Sequence, residues 1–172
     1  MSAIQRILDH YDGVLHGEPW HGDAGGGAVW QVLDSISAQE AAARPIPSAH
    51  TIWEIVMHMT FWENVAAQRL AGLRAGLEEV EELNFPPMPA ASKENWRKTL
   101  DQFRDSNRVF RQALAKLDAN NLDELTAAGK RTFYGEAHGI VEHHVYHLGQ
   151  IVLLKKCSRS QPRDSEKLPS PS

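Results

Sequence analysis

The sequence predicts an all-helical protein in which four main amphipathic helices and one short one pack as a bundle. Three observations carry that expectation. Strand signals, alternating Val/Ile/Thr runs bounded by Asn-Gly or Asp-Gly turns, are almost absent. Apolar residues recur instead at helical spacing through most of the chain. The 172 residues suffice for one buried core, and 42% hydrophobic with 23% charged residues is ordinary globular composition. Four amphipathic helices bury their stripes most simply against one another.

The first helix is expected over 4–15, where Ile4, Ile7, Leu8, Tyr11 and Leu15 share a face. A loop over 17–27 follows, marked by Pro19 and Gly25-Gly26-Gly27. The short helix, 28–36, presents Val29, Val32, Leu33 and Ile36. No helix crosses Arg44-Pro45-Ile46-Pro47 intact. The second long helix spans about 51–73, with Ile55, His58, Trp62 and Val65 on one stripe. Phe85-Pro86-Pro87-Met88-Pro89 is a stiff connector, and Ser92 is a good N-cap for a third helix reaching about 117. An irregular connection over 125–133 leads to the last helix, about 134–157, whose stripe is Ile140, His143, His147, Gln150, Ile151 and Leu154. The domain is thus expected over 1–157, with 158–172 a polar, flexible tail.

Composition narrows the function classes. Lys and Arg number 18 against 22 Asp and Glu, so the net charge of −4 offers no basic stripe for nucleic acid. The single Cys157 excludes an internal disulfide and any Cys-rich zinc motif. The first residues have no long apolar stretch and carry Asp9, unlike a signal peptide. No apolar run approaches the ~20 residues of a membrane span. A soluble, cytoplasmic protein is the expectation. Nine His are the one oddity.

Two His at i and i+4 lie ~40° apart around a helix, so both imidazoles can reach one metal ion. His143 and His147 have that spacing on an inward stripe. His58, between Ile55 and Trp62, is the best third ligand from another helix. Three His converging in a core are hard to satisfy without a metal. His144 is turned ~100° from His143 and points off the stripe. His138 is placed for an outer contact, whereas His10, His16, His21 and His50 read as loop, cap or helix-end residues.

The segments His50-Thr51-Ile52-Trp53-Glu54-Ile55-Val56-Met57-His58-Met59 and Glu142-His143-His144-Val145-Tyr146-His147-Leu148-Gly149-Gln150-Ile151 resemble the two signature regions of the DinB-like superfamily, which includes YfiT-type proteins. The resemblance implies an up-down-down-up four-helix bundle, commonly a homodimer. It also implies a divalent metal (nickel, zinc or iron) held by three His, here His58, His143 and His147. Leu148 stands where many relatives have Arg.

Three neutral imidazoles leave a +2 ion uncompensated, with a coordination position open to water or a thiol. The resemblance implies the same two options as activities, a hydrolase or an S-transferase using a low-molecular-weight thiol on a small-molecule substrate. The alternative is a non-catalytic metal-binding stress-response bundle. Glu54, Gln150 and Tyr146 are expected around the ligands, Gln150 as partner of a ligand N–H and Tyr146, with Tyr134, at the pocket mouth. Glu142 reads as solvated surface, and Trp53, Trp62 and Trp96 as core.

Overall fold

The computed structural model describes residues 1–17, 27–75 and 83–160. The Trp20-His21-Gly22 loop and residues 161–172 of the expected tail lie outside them. Six α-helices and one short 3-10 turn make up the described fold, with no strand among these residues.

Helix α1, Ala3–His16, starts where the Ser2 hydroxyl accepts from the Gln5 amide, and it buries Ile4, Ile7, Leu8, Tyr11, Val14 and Leu15. The expected single short helix is two. α2 spans Val29–Leu33, and α3, Ala38–Ala42, is set off by a capping box between Ser37 and Glu40. A second capping box, Thr51 with Glu54, starts α4, Ile52–Leu70. α4 ends earlier than its stripe predicts because Gly72 adopts φ +81°, a left-handed conformation that terminates the helix cheaply only at glycine. α5, Lys93–Ala115, begins at the expected cap Ser92.

After a 3-10 turn, Ala119–Asn121, the chain doubles back through an isolated bridge between Leu125 and Thr132 and enters α6, Phe133–Ser160. α6 runs past the expected end at Cys157. Arg159 ties that extension down, donating to Glu40 at 2.8 Å and to the Ser35 carbonyl at 3.2 Å.

The four long helices α1, α4, α5 and α6 form the bundle, with α4 packed on both α5 and α6. Tyr11, Leu33, Trp53, Phe103, Phe110 and Leu148 are nearly or wholly buried at its centre. Burying each such side chain stabilises by roughly 1.5–3 kcal/mol. The Trp53 indole donates to Thr99 Oγ1 at 2.9 Å and Trp96 to the Ile36 carbonyl at 3.0 Å, so both tryptophans are core residues with satisfied N–H groups.

Candidate metal centre

The α4 stripe and the α6 stripe face each other and bring His58, His143 and His147 to one point. His143 Nε2 lies 3.1 Å from His58 Nε2 and 3.0 Å from His147 Nε2. The other ring nitrogens reveal the protonation. His58 Nδ1 lies 3.0 Å from the Asn84 carbonyl oxygen, and His147 Nδ1 lies 2.7 Å from Gln150 Oε1. Each contact calls for an N–H at Nδ1, which leaves Nε2 of both rings as a bare lone pair. His143 has one proton to share, and its Nδ1 is buried without a hydrogen-bond partner. Three imidazoles therefore turn more lone pairs than protons towards one another.

Burial keeps all three neutral. It lowers the His58 pKa and, helped by His147, His144 and His58, takes His143 to about 2. Burial is also the main reason that His147 falls to about 4, against the opposing pull of Gln150. A divalent ion at the meeting point fits this donor set. Ligand nitrogens about 2.1 Å from an ion are spaced by about 3.0 Å in cis-octahedral and about 3.4 Å in tetrahedral arrangements, close to the spacing found. Among the described residues, this is the one group of three such side chains close enough to share an ion.

The sequence model of the DinB superfamily matches residues 23–151. The chain belongs to the DinB superfamily. No curated protein and no solved structure matches it. The all-helical fold and the histidine cluster are those of a metal-binding DinB-like protein.

In this DinB-superfamily member the cluster forms part of the wall of a cleft of about 510 Å³, lined also by Trp62, Arg69, Asn84, Lys130, Arg131, Glu136, Ile140 and Tyr146. Gln150 and Tyr146 thus stand at the cluster, Gln150 bonded to the His147 ring and Tyr146 edge-on to it. Glu54 stands apart. Its carboxylate is occupied by the Thr51 amide at 2.7 Å and by both oxygens' contacts with Arg44 at 2.7 and 2.9 Å. His138 pairs with Glu142 at 3.3 Å and stacks on Tyr134, away from the cleft lining. His50 stacks on Phe85, whose other contact is the ring of His58. Trp62, expected in the core, is a cleft wall whose indole donates to Asn84 Oδ1 at 2.7 Å. Leu148 is buried in the core.

Asn84 has no signature in the sequence, because its contact with His58 is made through the backbone. The buried pair Arg69–Glu136, 3.0 Å apart, was equally silent. His144, turned away from the cluster, lies in a sealed pocket 3.6 Å from Glu63 Oε1, with neither ring nitrogen hydrogen-bonded. Glu63 accepts from Tyr11 at 2.5 Å, Asn107 at 2.7 Å and Ser106. Burial nevertheless raises its pKa to about 7 and lowers that of His144 to about 3.

Proposed function

We propose that this protein is a metal-dependent enzyme that binds nickel, zinc or iron through His58, His143 and His147 and transfers a low-molecular-weight thiol to a small-molecule substrate. The observation that carries this reading is the convergence of neutral Nε2 lone pairs on the wall of an open cleft rather than inside the sealed core. When bound, the ion supplies a Lewis acid that ionises a thiol or water at neutral pH.

The chain's own groups do the positioning. The Asn84 carbonyl and Gln150 hold His58 and His147 in the tautomer that aims Nε2 at the site. Trp62 and Tyr146 supply aromatic walls for the substrate. Thiol transfer is favoured over hydrolysis because Glu136, the one carboxylate lining the cleft among the described residues, is held by Arg69 and is not free to take a proton from water. Cys157 is not in the cleft lining, so the thiol is one brought in from solution. The family resemblance supports a homodimer, and the lack of a membrane-crossing helix among the described residues accords with a cytoplasmic location.

The test is metal analysis of protein purified without a metal-affinity column, followed by cobalt substitution and titration with a thiol. One bound ion per chain is expected, lost in each of His58→Ala, His143→Ala and His147→Ala, with a visible spectrum that changes on adding thiol. Metal that survives all three substitutions refutes the site. A spectrum indifferent to thiol but responsive to pH moves the assignment to water and hydrolysis. An ion that answers neither, and whose removal collapses the melting temperature, makes the bundle a non-catalytic metal binder.

A further inference from the structure

Among the described residues, the side chains lining the cleft carry more positive than negative charge, in a protein whose net charge is −4. The three His are neutral, and Arg69 is cancelled by Glu136. Lys130 and Arg131 remain, and neither side chain has an acidic or hydrogen-bonding partner among the described residues. The backbone of Arg131, an exposed residue, is held in place. Its carbonyl accepts from the Thr126 amide at 2.9 Å and from Thr126 Oγ1 at 3.1 Å, within the turn closed by the Leu125–Thr132 bridge. Its guanidinium lies directly over Gly139 of α6, where a Cβ would stand 2.9 Å from Nη1. Glycine inside a helix is unfavourable relative to alanine, and here its bare backbone makes room for the charged fork. Gly139 is one turn before His143, about 6 Å along the helix axis.

We infer that the molecule taken by this cleft carries an anionic oxygen group, a carboxylate or a phosphate, that Arg131 grips with help from Lys130 while another part of the molecule lies at the three-histidine point. A guanidinium matches both oxyanions with paired hydrogen bonds. The inference deepens the proposed function by giving its ligand a charge, but the anion grip itself needs no metal.

Two measurements separate the parts. Metal-free protein is titrated with glutarate and, separately, with glycerol phosphate, following the Gly139 amide and the Trp62 indole by NMR. Saturable shifts with either anion, absent in Arg131→Gln, are the expected result, and the stronger binder tells carboxylate from phosphate. No saturable shift with either anion, or shifts that persist in Arg131→Gln, overturns the inference whatever the metal does. Cobalt-substituted protein is then titrated with mercaptopropionate and with its neutral analogue mercaptopropanol. The acid is expected to bind about tenfold more tightly, as charge-assisted hydrogen bonds allow, and Arg131→Gln to remove that preference while leaving mercaptopropanol unchanged. Failure of the neutral thiol to bind counts against the thiol reading alone.

Discussion

Lowering the pH from about 7.5 to about 5.5 tests the electrostatic character of the site directly. Protons compete with metals for imidazole nitrogens, and at the ordinary His pKa of 6.5 each ring would lose about tenfold in available lone pair over that range. Three ordinary histidines would together weaken metal binding by about a thousandfold. In this protein burial holds His143 at about 2 and His147 at about 4, so both remain neutral at pH 5.5. His58 is shifted in the same direction. The loss is therefore bounded at about tenfold and comes from His58 alone. Competition against a chromophoric chelator whose own pH dependence is known gives the affinity at each pH. A loss near three log units between pH 7.5 and 5.5 would refute the picture of three preset neutral ligands, and a loss of about one log unit or less supports it.

Other perturbations probe the surroundings. The Glu63 pKa of about 7 lies above its ordinary 4.5, so its contribution to stability is complete below about pH 4.5 and is lost as pH rises through 7. That interval corresponds to about 3 kcal/mol. Urea unfolding of Glu63→Gln should therefore give a stability that, relative to wild type, improves across this window, and parallel profiles would contradict it. Arg69→Ala leaves Glu136 buried without its partner and should cost about 3–5 kcal/mol in denaturant unfolding, much of it recovered when Glu136→Leu is added. Gln150→Leu frees the His147 ring and should weaken metal binding by about 10–100-fold with little change in unfolding free energy; equal affinity would remove Gln150 from the site.

Much of this was legible because helical periodicity encodes faces. The steps Ile55, His58, Trp62 and Ile140, His143, His147, Gln150 place their side chains on single stripes by spacing alone, and the two stripes do meet. Local chemistry was legible too, as at Ser92. The capping boxes are the instructive case, since Ser37 with Glu40 marks α3, and Thr51 with Glu54 explains why Glu54 serves the helix start rather than a histidine. What could not be read depends on pairs brought together across the bundle. Glu63 and His144 come from different helices and have no sequence spacing to announce them. Asn84 acts through a carbonyl that every residue possesses, and Arg131 through the nearness of a glycine on the next helix.

His143 and His144 are neighbours in sequence with opposite addresses, one opening on the cleft and the other sealed in the core. This makes α6 intolerant of changes in length. One residue inserted between Phe133 and His143 would rotate the following helix by about 100°, placing Glu142 at the address that faces His58 and driving His143 towards Glu63. The exposed turn before α6, by contrast, can absorb an extra residue at Gly129, where the chain already takes a left-handed conformation. Natural variation in chain length is therefore expected to collect in the turn, while the stretch from the start of α6 to Gln150 behaves as a ruler whose divisions cannot be recut.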